Sequence, residues 1–287
     1  MKIAIFSGAL IDYSIHEALQ IAHRIGVDGV EIAGREPHLS PTTSVLRVKE
    51  IKRLAGELGL EIPAIGGYMG RFSELGDKES TGEFENFKRM LPMAAELGAS
   101  LFRVQQGGPN GFLAQDYHYR KAAYFIDRCA EEAEAYGIRV ALEIHNQSIL
   151  ETTDDCKRLL QYIRQDNVGF IHDAGNMYIT DTDYGRESVL QLGSRLLHVH
   201  VKDELRIAEA GAAGSFNNLT RHGEEAFIQC RLGDGAVDHK PLFAALAETG
   251  YEGWATLECF APLPVEERFE HDYKEVKSWL AHPGGLA

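Results

Sequence analysis

Eight short apolar runs recur along this chain, and most are followed by a longer stretch with apolar residues at helical spacing. The runs are KIAIFS from Lys2, GVEIAG from Gly29, EIPAIGGY from Glu61, SLFRVQQ from Ser100, RVALEIH from Arg139, VGFIHDAG from Val168, LLHVHVKD from Leu196 and WATLECF from Trp254. The stretch IHEALQIAHRI over Ile15–Ile25 has helical periodicity, as do residues 45–60, 83–97, 119–136, 153–164, 240–249 and 265–280. Gly26, Gly59, Gly98, Gly137 and Gly250 each stand where a helix should close. Strands that alternate with helices through short links pair in parallel. The count and the 287-residue length predict an α/β fold, a (β/α)8 barrel in one domain over residues 1–287. A doubly wound sheet is the rival. It would place a glycine-rich fingerprint after the first strand, where FSGALIDYS has a single glycine.

Composition narrows the partners. With 29 basic and 43 acidic residues the formal charge is −14, which argues against nucleic acid, whose phosphates need a basic surface. A hydrophobic content of 44% is enough for a sizeable core. Cys129, Cys156, Cys230 and Cys259 are scattered, with neither zinc-ligand nor disulfide spacing. A reducing, cytoplasmic setting is therefore expected. MKIAIFSGALIDYS lacks the long apolar core of a signal peptide, and no run is long enough to span a bilayer.

The chemistry gathers late in the strands. Glu143, Asp173, His200 and Glu258 stand near the ends of the fifth to eighth runs, where a barrel brings residues distant in sequence to one rim. A carboxylate facing the inside of a barrel is costly unless it is paired or coordinated. Three carboxylates and one imidazole form a hard site for a single divalent cation, Mn²⁺ first and Mg²⁺ or Co²⁺ next, ahead of Zn²⁺. Two segments break the rhythm: GGPNGFLAQD over residues 107–116, and residues 204–238 after the seventh strand. Both follow strands, so both are expected as rim loops that shape a pocket.

These motifs carry a family resemblance. GVDGVEIAG, ALEIHN, HDAGN, HVHVKD and the closing stretch LGDGAVDHKPLFAALAETGYEGWATLE resemble the xylose-isomerase-like TIM-barrel superfamily, the sugar phosphate isomerase/epimerase group, over nearly the whole chain. The resemblance implies a (β/α)8 TIM barrel holding one Mn²⁺-like ion on Glu143, Asp173, His200 and Glu258. It also implies a small-molecule sugar or keto-sugar substrate, and homo-oligomers are frequent in the group. Two positions depart from the ketose 3-epimerase pattern. Asn176 stands where those enzymes carry a histidine, and Glu151 falls later than their second glutamate. EIHNQSILETT is similar to the matching stretch of 3-dehydroshikimate dehydratases.

Such a site suits proton abstraction next to a carbonyl, through an enediolate. Glu143 and Glu258 would remove and return the proton from opposite sides. The leading expectation is a metal-dependent isomerase or epimerase, with a dehydratase of the same fold as the alternative. An endonuclease-like repair enzyme or a non-catalytic sugar-binding subunit ranks lower. Strand alternation adds His145, His198 and Lys202 as substrate contacts, with Asn176, Arg103 and Gln105 beside them. For each an ordinary role stands open: His198 as a core histidine, His145 as a rim hydrogen bond, Arg103 as a partner of a barrel carboxylate. Glu31 would support the metal ligands or form a salt bridge. Tyr68 and Phe72 would wall the pocket or pack, and His172, out of phase with Asp173, should point away.

Overall fold

The computed structural model describes residues 1–282. Eight parallel strands close a barrel, and in chain order they are β1 (Lys2–Phe6), β2 (Gly29–Gly34), β3 (Ala64–Gly70), β4 (Leu101–Gln105), β5 (Arg139–Glu143), β6 (Val168–Asp173), β7 (Leu196–Val201) and β11 (Trp254–Leu257). The last strand pairs with both β7 and β1, which leaves no open edge. Outside lie α1 (Ile15–Ile25), α2 (Val45–Glu57), α3 (Asp77–Leu97), α4 (Asp116–Glu134), α5 (Thr153–Leu160), α6 (Ala174–Ile179), α7 (Arg186–Leu192), α8 (Lys240–Glu248) and α9 (Val265–Ala281). The first helix shows how local sequence sets these elements. Ser14 and Glu17 form a capping box at its start, and Ala18, Leu19, Ala22 and Ile25 are buried on one face. At its end Gly26 adopts φ 90°, a left-handed conformation that costs glycine little.

Strand alternation stacks the barrel interior in layers. Leu101, Ala141 and Ile171 belong to a small apolar cluster. Two residues further along the same strands come Arg103, Glu143 and Asp173, so the apolar layer floors the polar one. The larger apolar cluster fills the space between strands and helices.

The expected architecture holds, but three segments differ. Helix α3 starts at Asp77 rather than residue 83, because its first turns carry charge and caps instead of apolar periodicity. The unassigned link between β6 and β7 contains two short helices, α6 and α7, too brief for a periodic signal. The third difference concerns residues 204–238. Instead of an irregular loop they contribute most of an antiparallel sheet, β8 (Asp203–Ile207), β9 (Ser215–Thr220) and β10 (Gly223–Cys230), in the order β8-β10-β9. Asp203 ties this sheet to the barrel. Its carboxylate accepts from the backbone N–H groups of Glu204, Gly233, Gly235 and Val237 at 2.8–3.1 Å. These bonds join the segment LGDGAVD to the end of HVHVKD. On the far side, Asn218 accepts from Asn146 and Gln147, both at 2.7 Å, so β9 rests on the loop after β5.

Candidate metal centre and active site

Glu143 and Asp173 end β5 and β6, His200 lies in β7, and Glu258 follows β11 directly. One ligand atom from each lies within 4.8 Å of the others, and all four residues are buried. The Nδ1 atom of His200 faces this ring, 3.2 Å from Glu258, 3.3 Å from Glu143 and 3.9 Å from Asp173. Its Nε2 atom points the other way, 3.1 Å from Glu31 Oε2. A proton on Nε2, given to Glu31, leaves the Nδ1 lone pair for a cation, an arrangement that fixes both tautomer and ring orientation. Glu31 thus supports the ring from below.

The four residues fit a divalent ion. Oδ1 of Asp173 caps α6 by accepting from the Asn176 backbone at 2.8 Å. Its Oδ2 lies 3.0 Å from the Lys202 ammonium yet, among the described residues, accepts no aligned hydrogen bond. Burial, together with Glu143 and Glu258, pushes the Asp173 carboxyl up to about 7 although Lys202 opposes this. A carboxyl held in that state gains by meeting positive charge. The Lys202 Nζ atom, 3.3 Å from Glu258 as well, acts as a resident monocation beside three carboxylates.

The two glutamates differ from Asp173. Burial acts to raise the Glu143 carboxyl, but Arg103 and His200 hold it well below the ordinary range. Arg103 Nη1 lies 2.5 Å from its Oε2, and Asn176 donates to its Oε1 at 3.1 Å. Glu258 is lowered against burial by Lys202 and His200. Both glutamates are therefore ionised, as a proton acceptor must be.

Above the ring lies a cavity of about 300 Å³, lined among others by Tyr68, Gln105, His145, Asn146, Lys202 and Phe260. It shares Arg103, Glu143 and His145 with a second space of about 400 Å³ that reaches Arg71 and Gln147. The structure thus brings Arg103, Gln105, His145, Asn176 and Lys202 to the cavity. Arg103 and Asn176 also brace Glu143, and Lys202 bridges Asp173 and Glu258. His198 is not among the lining residues. It is fully buried one layer lower, 3.0 Å from Glu31 and 2.7 Å from Thr256, because it precedes His200 by one pleat. Its place as a substrate contact is corrected to that of a core histidine. Phe72 is likewise packing, stacked on Phe125 with centroids 5.0 Å apart. Glu151 is taken up by Asn110, Gly111 and Gln147 and joins two rim loops. His172 turns outward to Ser188, as its phase requires. Sequence reasoning missed Glu204, Phe216 and Gln229, which line the cavity from the inserted sheet. Glu204 is two residues beyond Lys202 and in phase with it, a signal that strand alternation could have supplied.

Known proteins resemble this chain in sequence and in fold. The rhizopine catabolism protein MocC of Rhizobium meliloti is 26% identical over 269 residues, covering 86% of this chain and 75% of that protein. The inosose dehydratase of Geobacillus thermodenitrificans is 28% identical over 221 residues, covering 70% of this chain and 71% of its own. Among solved structures, a D-allulose 3-epimerase from Methylomonas superposes with a TM-score of 0.74 at 21% identity, covering 97% of each chain. The IolI protein, solved with a bound zinc atom, gives a TM-score of 0.76 at 18% identity and 98% coverage of each chain. The family model described as xylose isomerase-like TIM barrel matches residues 19–281. The chain therefore belongs to the xylose isomerase-like TIM-barrel family.

Proposed function

We propose that this protein is a metal-dependent enzyme that removes a proton from the carbon next to the carbonyl of a small polyhydroxylated ketone. The observation that supports this most directly is the pair Glu143 and Glu258. Both are ionised carboxylates beside one cavity, and each touches the imidazole of His200. Glu143, Asp173, His200 and Glu258 would hold one divalent cation, Mn²⁺ first and Mg²⁺ or Co²⁺ next, by the hardness of three oxygen donors. Such an ion supplies polarisation of the substrate carbonyl and stabilises the negative charge that develops on its oxygen.

The chain's own residues supply the rest. Arg103 and Asn176 fix the Glu143 carboxylate, so a proton taken there moves along a set direction. Lys202 fixes Glu258 in the same way. In isomerisation or epimerisation one glutamate takes the carbon-bound proton and the other returns one, on the adjacent carbon or on the opposite face. Dehydration shares the first step and then loses the neighbouring hydroxyl. The names of the inosose dehydratase relatives favour this second outcome, while the epimerases of the same fold favour the first.

The test is a panel of an inosose and several free ketoses, incubated with the Mn²⁺-loaded protein. Epimer or isomer by chromatography supports the first outcome, and a new conjugated absorbance supports the second. If neither appears and solvent deuterium does not enter the substrate, the proposal fails.

A further inference from the structure

Glu204 is a buried carboxyl of the active-site cavity that the steps above leave without a task. It is 0% exposed, and among the described residues neither of its oxygens accepts an aligned hydrogen bond, the Gln229 amide being near enough only to oppose the effect of burial. It lies on β8 directly opposite Gln229 of β10 and lines the cavity with Lys202, Asn176 and Glu258. A buried carboxyl without a partner costs roughly 1–3 kcal/mol, and an apolar residue would hold the sheet equally well. Burial keeps the group protonated, raising it to about 8 although Lys202 opposes this. The cavity therefore holds one neutral carboxylic acid across from two ionised carboxylates. Lys202 is less suited to give up a proton, since its ammonium is bound between Asp173 and Glu258.

We infer that Glu204 is a catalytic acid that protonates the hydroxyl departing from the carbon β to the carbonyl, which makes the site a dehydratase of polyhydroxylated ketones. The inference rests on the proton-abstraction reading of the same site. Glu143 or Glu258 takes the proton from the carbon next to the carbonyl. The electron pair of that C–H bond passes into the enolate and then returns to form the new C=C bond as the C–O bond to the hydroxyl breaks. Glu204 gives its proton to the departing oxygen, and water leaves. The product is a conjugated enone one water lighter, with no net oxidation or reduction. Proton transfer through solvent, from the glutamic acid formed in the first step to the Glu204 carboxylate, restores the starting state.

The test uses the Mn²⁺-loaded full chain with an inosose in D₂O. Elimination is followed by enone absorbance and proton abstraction by deuterium incorporation, in wild type, Glu204→Gln and Glu204→Asp. General acid catalysis contributes about 10²–10⁴-fold, so the ratio of elimination to exchange falls at least about 100-fold in Glu204→Gln. Glu204→Asp recovers part of it, which a merely structural role would not produce. An unchanged ratio in Glu204→Gln overturns the inference, and so does a loss of ratio that Glu204→Asp does not recover. A wild type that exchanges and isomerises but never eliminates overturns it while the proton-abstraction reading stands. A wild type that neither exchanges nor eliminates overturns both.

Discussion

Glu143 and Glu258, at the barrel rim, each face a cation: Arg103 Nη1 at 2.5 Å and Lys202 Nζ at 3.3 Å. Glu204, on the antiparallel sheet above them, meets Lys202 only at longer range, and among the described residues its carboxyl forms no ion pair. The three carboxyls border one cavity and burial acts to raise each, yet Arg103, Lys202 and His200 hold the first two down while the third is pushed up to about 8. The difference lies in backbone placement. Strand β4 and the residue after β7 bring Arg103 and Lys202 beside the glutamates, whereas Glu204 has the Gln229 amide across the strand and Lys202 only at longer range. Two elements of unlike construction thus give one cavity carboxyls pushed in opposite directions, the pairing on which the proposed bases and acid rest.

The comparison breaks most visibly if the rim holds no cation. Asp173→Asn removes a negative ligand, and Mn²⁺ affinity by calorimetry should fall at least about 100-fold, beyond the usual effect of supporting residues. Chelation of the bound ion should abolish deuterium exchange into substrate. Glu31→Gln keeps the ring and weakens the support of His200, so affinity should fall about 10–100-fold. An unaltered affinity there would make Glu31 a purely structural residue. Metal binding should also stabilise the fold, by about 2.7 kcal/mol at a hundred times the dissociation constant. Parallel melts of wild type and Asp173→Asn with added Mn²⁺ check this.

A smaller effect sharpens the same rule outside the site. Asp272 on α9 is fully buried and accepts from the Leu232 backbone, but among the described residues its Oδ2 accepts no aligned hydrogen bond. Burial raises it from an ordinary 3.8 to about 6. The native state holds this proton more tightly than the unfolded chain does. Its contribution is full below about pH 4 and is lost as pH rises to about 6, a cost of about 2–3 kcal/mol above that. Asp272→Asn has no charge to bury, so its stability relative to wild type in urea should be greater at pH 8 than at pH 5.

The parallel barrel was legible because each strand is a short apolar run and each main helix has its own period. The clustering of the four candidate ligands was legible for the same reason, since Glu143, Asp173, His200 and Glu258 interrupt such runs at corresponding places. Residues 204–238 were not legible. The strands β8, β9 and β10 are half-exposed and polar, as in FNNLT, and they bury too little to impose an apolar pattern. Position within a motif also misled. His198 and His200 share a strand face, but one pleat separates a core histidine from a ring histidine. Depth along the barrel axis cannot be read from alternation alone.

The central claim is that Glu143 and Glu258, beside one divalent ion, move a carbon-bound proton of a polyhydroxylated ketone. Deuterium incorporation into an inosose by the Mn²⁺-loaded protein measures that step without regard to its later outcome. The account predicts exchange in the wild type and a loss of about 10²–10⁴-fold in whichever of Glu143→Gln and Glu258→Gln removes the abstracting base. Wild-type exchange in both variants, each folded and metal-loaded, would contradict it.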